Sequence, residues 1–200
     1  MQIFDIPINS KRMETTRIGT FDFPLAVHEN DLKKNVLGFV NWHWHYEFQL
    51  TYVVRGTISV FFNQQTIDLH EGQCIYINPE VLHMIRDRYD SDAMFISLDV
   101  SPKLLTSFPN SVFELSYVKP VFCSSAADAV ILDPGVFWQK KILDEAMRIE
   151  QDYKSRSFGW ELAVSSSLYA IWRELVCHLH ESLAEHDAPA ADGARMRRNQ

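Results

Sequence analysis

The residues best equipped for chemistry crowd into one stretch, Gly38-Phe39-Val40-Asn41-Trp42-His43-Trp44-His45-Tyr46-Glu47-Phe48-Gln49. On an extended strand alternate side chains share a face. His43, His45, Glu47 and Gln49 therefore point one way, and Trp42, Trp44, Tyr46 and Phe48 the other. A row of polar groups is costly in a dry interior unless the groups are paired or meet a ligand. A further imidazole, His83, follows a turn at Asn78-Pro79. Three readings of this set stand side by side. Imidazoles, a carboxylate and an amide mix donors with acceptors, which suits a hydroxyl-rich small molecule, and this reading fits the donor mix best. The same groups suit Fe, Ni, Mn or Zn. The third reading is a set of internally satisfied histidines with no ligand. Tyr52, Tyr76 and Trp42 offer faces on which a sugar could stack, and serve equally as core.

The elements that must position these groups are mostly short and β-like. Phe48–Val54 and Thr57–Phe62 flank the turn Arg55-Gly56, where glycine tolerates positive φ. Thr66–Leu69, Gln73–Ile77, Leu82–Arg86 and Ala93–Val100 follow, separated by turn residues. Short strands at this spacing predict an antiparallel sandwich or barrel. Residues 101–135 are interrupted by Pro102, Pro109, Pro120 and Pro134, with a short helix expected near Lys103–Phe108. The period then changes. Trp138, Ile142, Ile149 and Tyr153 fall on one helical stripe after Asp133-Pro134, and Val164, Leu168, Trp172, Leu175, Leu179 and Leu183 on a second, longer one. Such a seam packs either on the barrel or on a second copy of the chain, and pattern alone leaves both open.

Composition excludes several classes. The chain has 200 residues, 46% of them apolar, with 26 acidic against 19 basic side chains and a net charge of −7. It reads as globular, and its charge argues against holding DNA by bulk electrostatics. No run approaches the ~18 apolar residues of a membrane span, and the first residues, MQIFDIPINSKRMETTR, show no signal peptide. Cys74, Cys123 and Cys177 are odd in number and form no CxxC, so a disulfide framework and a structural zinc site are not expected and a reducing cytoplasm is. His28 reads as an exposed loop residue. His178 and His180 read as helix-end residues, and Ser165-Ser166-Ser167 lacks the surroundings of a hydrolase nucleophile.

The segment HWHYEFQLTYVVRGTISVFFNQQTIDLHEGQCIYINPEVLH resembles the cupin barrel, whose two motifs supply HxH with a carboxylate and, later, a PxxxH-type histidine. Together with SFGWELAVSSSLYAIWRELVCHL downstream, residues 20–186 are similar to the N-terminal domain of AraC-type bacterial transcription regulators. The resemblance implies a mainly β fold, a cupin-type antiparallel barrel (double-stranded β-helix or jelly roll) followed by two or more α-helices. It implies an N-terminal arm at 1–18, an effector-binding barrel with its connecting segment at 19–135, a helical dimerisation segment at 136–186 and a linker at 187–200. The linker would lead to a helix-turn-helix domain that lies outside this chain. The implied partners are a small polar effector, expected to be a sugar or sugar derivative, a second copy through the C-terminal helices, and promoter DNA only through that further domain. No membrane, cofactor or catalysis is expected. The expected effector residues are His43, His45, Glu47, Gln49, His83 and Tyr76, and the expected dimer seam is Leu168, Trp172, Leu175 and Leu179.

One departure bears on metal binding. Metal-binding cupins place a carboxylate four residues after the second histidine, where this chain has Gln49; Glu47 is two residues early. A metal, if bound, would sit on His43, His45, His83 and Gln49 (or Glu47), and a neutral amide brings no charge to offset a dication. The alternative function is a stand-alone metal-dependent cupin enzyme, a dioxygenase or sugar isomerase.

Overall fold

The computed structural model describes residues 5–187, with side chains to residue 180. The strands are β1 Leu25–Asp31, β2 Phe39–His43, β3 Phe48–Arg55, β4 Thr57–Phe62, β5 Gln65–His70, β6 Cys74–Ile77, β7 His83–Asp87, β8 Met94–Val100 and β9 Ala129–Leu132. Two short helices follow β8, α1 Lys103–Thr106 and α2 Lys119–Cys123, with a π-helical turn at Phe113–Val118 between them. Two long helices close the described chain, α3 Phe137–Ser155 and α4 Trp160–Asp187. The linker expected from 187 onward, with its basic RMRR, lies outside the described residues.

The strands pair in the orders β1-β8-β3-β6-β9 and β2-β7-β4-β5. Every pairing is antiparallel. Apart from the β4–β5 hairpin, the first eight strands alternate between the two sheets in the order of a jelly roll, the double-stranded β-helix expected of a cupin. Gly56 shows why the tight turns need glycine: its φ is +76°, and a Cβ there would lie 2.7 Å from Ser91 Oγ.

Alternation along the strands builds two cores. Val53, Ile58, Val60, Ile75, Ile77, Ile85 and Phe95 fill the barrel interior. On the outer face of the five-stranded sheet Phe48, Leu50, Tyr76, Ile96, Leu98 and Val100 form a second apolar layer. That layer would face water, and α3 and α4 cover it with Ile142, Ala146, Ile149, Val164, Leu168, Trp172 and Leu175.

This corrects the expected dimer seam. Leu168, Trp172 and Leu175 are buried inside the single chain, and Leu179 packs half-buried on the same cluster. Trp172 lies 5.5 Å from the Phe48 ring and 5.3 Å from Phe122, and its indole donates to the Tyr117 carbonyl at 3.2 Å. The sheet's outward apolar row covers Leu168, Trp172 and Leu175 within the single chain. The side chain of Leu183 is outside the described residues.

Two further expectations shift. The segment from Val40 to Gln49 is not one continuous strand: β2 ends at His43 and β3 begins at Phe48, because the chain turns there from one sheet to the other. The described part of the arm is docked on the barrel. Trp44 N donates to Arg12 O at 3.1 Å, Glu14 N donates to Trp44 O at 2.9 Å, and Ile6 is buried among the barrel's interior side chains.

Candidate functional site

His43 closes β2 and His83 opens β7, and the two are direct partners in the antiparallel ladder. Their rings lie 4.2 Å apart. His45 reaches the same point from the inter-sheet corner, 5.6 Å from His43 and 5.4 Å from His83. That corner is fastened to the Asn78-Pro79 turn, since Glu80 N donates to His45 O at 2.8 Å. The two motifs, far apart in sequence, thus meet through one backbone hydrogen bond and one strand pairing.

The three imidazoles share one arrangement. Each places Nδ1 on a backbone carbonyl: His43 on Asn41 at 2.8 Å, His45 on Glu47 at 2.9 Å and His83 on Val81 at 2.9 Å. A carbonyl only accepts, so in His43 and His83 Nδ1 carries the proton and Nε2 keeps a lone pair, whereas His45 faces an oxygen at both ring nitrogens, Glu47 O and Gln49 Oε1. One ring nitrogen from each residue lies within 4.8 Å of the others. His83 Nε2 has no hydrogen-bond partner among the described residues. Burial, reinforced by His45, pushes the His43 pKa down to about 3. Burial, reinforced by His43 and His45, holds His83 well below the ordinary imidazole range. Both rings are neutral near pH 7 and can act as ligands. Gln49 sets its amide oxygen Oε1 3.1 Å from His45 Nε2 and donates from Nε2 to Thr51 Oγ1 at 2.7 Å, tying the cluster to β3.

The polar wall extends beyond the triad. Glu14, on the arm, puts its buried carboxylate 3.9 Å from His43 Nε2. Its pKa is raised, chiefly by burial. Across the interior His28 lies 3.5 Å from Asp99, and Asn30 donates to Ser97 Oγ at 3.3 Å. Asn30 Oδ1 and Asp99 Oδ1 are buried without a partner among the described residues. These groups, with Ile6, Val40, Gln49, Ile85 and Phe95, enclose a cavity of about 20 Å³, near the volume of one water.

The structure therefore gathers His43, His45, His83 and Gln49 as expected. Glu47 does not join the wall. Its carboxylate is 3.9 Å from His45 Nδ1, the ring atom turned from the triad's centre, and its carbonyl is what orients that ring. Tyr76 is corrected. It is fully buried on the outer face of β6, against Phe48 and Trp172, with its hydroxyl donating to Asn78 Oδ1 at 2.7 Å. Alternation explains this, because Ile75 and Ile77 take the inward positions of β6. His28 is corrected as well, lying on β1 rather than in a loop. Four wall residues went unrecognised in the sequence although they alternate visibly: His28 and Asn30 in LAVHEND, and Ser97 and Asp99 in FISLDV. Glu14 carries no local signal, since only the docked arm brings it in.

The three histidines could hold a transition-metal ion. Nδ1–H donated to a carbonyl fixes the tautomer that a ligating histidine needs, and His83 Nε2 is a buried acceptor awaiting a partner.

The chain is similar to several known proteins. A family model described as the AraC-like ligand binding domain matches residues 35–136. An uncharacterized HTH-type transcriptional regulator, YdeC, from Bacillus subtilis (strain 168) is 31% identical over 176 residues. The match takes in 88% of this chain, and the chain spans only 59% of that relative's length. Among solved structures, a double-stranded β-helix cupin from Methanocaldococcus jannaschii is 14% identical, with a TM-score of 0.32 over 38% of this chain and 68% of that one. A cupin barrel protein from Salinispora arenicola is 16% identical, with a TM-score of 0.30 over 32% and 54%. No helix among the described residues is long and apolar enough to cross a membrane. With β2 to β9 and the histidine triad inside the matched region, the chain belongs to the AraC-like ligand binding domain family.

Proposed function

We propose that this chain is the sensing domain of a transcription regulator, which takes a small polar effector in the barrel and passes its occupancy to a separate helix-turn-helix domain. The observation that carries this reading is the pair of buried acceptors lining one cavity, Asn30 Oδ1 and Asp99 Oδ1, each without a partner among the described residues. An unsatisfied buried polar atom costs about 1–3 kcal/mol, and a ligand that donates to these atoms removes that cost. Hydroxyl groups are such donors, so a sugar or sugar derivative is the effector class we favour. A molecule of that size does not fit the present cavity, so it enters as the arm lifts or rearranges. Regulation then follows as a population shift, with the effector binding one arrangement of arm and barrel more tightly than the other.

Within this reading the protein is not an enzyme, works in the cytoplasm and meets promoter DNA only through the further domain. A homodimer through the C-terminal helices remains part of the proposal. It must use a face other than the buried seam, and α4 offers one carrying the exposed Leu162 and half-exposed Tyr169. The test is thermal melting of the chain with a panel of sugars and sugar acids. A ligand at a hundred times its Kd stabilises by about 2.7 kcal/mol, which raises Tm by roughly 5–11 °C at this size. Asp99→Ala should abolish the shift. A panel that moves Tm nowhere, in a folded sample, counts against the carbohydrate reading.

The histidine triad supports a second reading, a metal-dependent cupin enzyme of the dioxygenase or sugar isomerase type. Turnover by the isolated chain, lost with His43→Ala, would select it.

A further inference from the structure

We infer that the cleft between α3 and the outer face of the five-stranded sheet is a second ligand site, which takes an amphipathic cation, an apolar body carrying a positively charged onium centre. It lies on the opposite side of the sheet from the polar cavity, since Tyr52 faces the helices and Val53 the barrel interior.

The cleft follows from how the helical layer covers the sheet. Ile142, Ala146 and Ile149 of α3 are fully buried in the apolar layer that α3 and α4 lay on the strands. The neighbouring row of α3, Leu143, Met147, Glu150 and Lys154, recurs every three or four residues and so runs along one side of the helix. Beneath it the sheet presents Tyr52, Val54, Met94 and Ile96. Between the two rows lies a cleft of about 680 Å³, within the roughly 300–1,000 Å³ of small-molecule sites. Met147 and Val54 at its mouth stay 41% and 38% exposed. Apolar walls left wet forgo about 25 cal/mol for each Å² that an apolar occupant would cover. Met94 in the sheet and Met147 on the helix are unbranched and polarisable, and adapt to ligands of varied outline.

The charge around the cleft selects the occupant. Glu29, Glu71, Asp144 and Glu150 meet it with Lys140 and Lys154 against them, an excess of two negative charges. Both lysines are already engaged. Lys140 pairs with Asp144 at 2.7 Å, and Lys154 bridges Glu29 and Glu150. Tyr52 donates its hydroxyl to Glu150 as well. The bond from Lys154 holds the Glu29 carboxyl below the usual carboxylate range, so it is ionised near pH 7. Neither lysine is left to hold an anion. A cation laid along the apolar walls brings its charge to the surplus carboxylates. The occupant touches α3 on one side and β3 and β8 on the other, and so bears on how the helical layer sits against the barrel.

The test uses the 200-residue chain and two probes of nearly equal size and opposite charge, tetraphenylphosphonium and tetraphenylborate, titrated by calorimetry. One equivalent of the phosphonium should bind, at least tenfold more tightly than the borate. In protein carrying ¹³C-methyl methionine, its nuclear magnetic resonance shifts should fall on Met94 and Met147 and spare Met84, which lies on the other sheet. Met147→Trp fills the mouth and should lower phosphonium affinity at least tenfold, with circular dichroism reporting whether it folds. Glu71→Gln, in an exposed turn, should weaken the phosphonium by about threefold and leave the borate no weaker. Wild-type protein that ignores the phosphonium overturns the proposal, and so does equal affinity for the two probes. Shifts that gather on Met84 instead overturn it whatever becomes of the Met147→Trp variant. If raising the protein concentration alone shifts the Met94 and Met147 methyls, a second copy fills the cleft and the proposal falls.

Discussion

Replacing Trp172 with alanine decides whether the long apolar stripe of α4 serves the monomer or a dimer. The indole is buried against Phe48, Tyr76 and Phe122 and donates to the Tyr117 carbonyl. Truncating a buried tryptophan costs about 3–5 kcal/mol, and the stranded carbonyl puts the loss toward the upper end. We expect about 4–5 kcal/mol, a third or more of the stability of a typical domain, and a Tm lower by roughly 8–20 °C. Trp172→Phe keeps most of the ring contacts and should lose about 1–2 kcal/mol, chiefly the indole hydrogen bond and some volume. Leu162→Ala, exposed on the same helix, should change monomer stability by no more than about 0.5 kcal/mol. The assay is urea unfolding followed by far-ultraviolet circular dichroism, since the substitution removes a fluorophore, repeated at protein concentrations a hundredfold apart. Trp172→Ala protein that keeps wild-type stability per chain, while its dimer dissociates at lower concentration, would refute the intramolecular assignment.

Stability of the metal-free protein should fall on mild acidification. His43 titrates near pH 3 when folded and near 6.5 when unfolded, and His83 is also depressed. The unfolded chain therefore binds the extra protons below pH 6.5; His43 should cost about 1.4 kcal/mol between pH 7.5 and 5.5, and His83 acts in the same direction. Glu14, whose pKa is raised, opposes this lower in the range. Urea midpoints that are flat between those two pH values would contradict the buried, neutral assignment. Thiol labelling should find two reactive cysteines in the native chain, Cys123 and Cys177, with Cys74 appearing only on denaturation. The first two are exposed, whereas burial pushes the Cys74 thiol pKa upward. The chain alone, at a net charge of −7, should give no sequence-specific shift of DNA in a gel at moderate salt.

How far the sequence reveals this molecule depends on what each residue faces. Thr57–Phe62 was legible to the residue because β4 carries regular apolar alternation beside a glycine turn. The long helices were legible because each buries one stripe on a sheet. β1 was not read as a strand, and the cause is functional. His28 and Asn30 point inward to a polar wall, so its pattern inverts the rule that inward residues are apolar. The α4 stripe could not be assigned to monomer or dimer from its period, since both demand the same spacing. What decides is the outward row Phe48, Leu50, Tyr76 and Leu98, which needs a cover. That row also claims Tyr76, which had looked like a stacking surface.

Glu14 shows the same limit at the site. Only the docked arm brings its carboxylate to 3.9 Å from His43 Nε2, through backbone pairing with Trp44. A ligand that binds the barrel better with the arm seated must favour seating by the same factor, because coupling between two equilibria is reciprocal. A tenfold coupling is worth about 1.4 kcal/mol. Removing residues 1–16 should therefore shift the affinity of whichever effector raises Tm by about tenfold, read by calorimetry, and an effector bound equally well by the truncated and the full chain would show that the arm takes no part in occupancy.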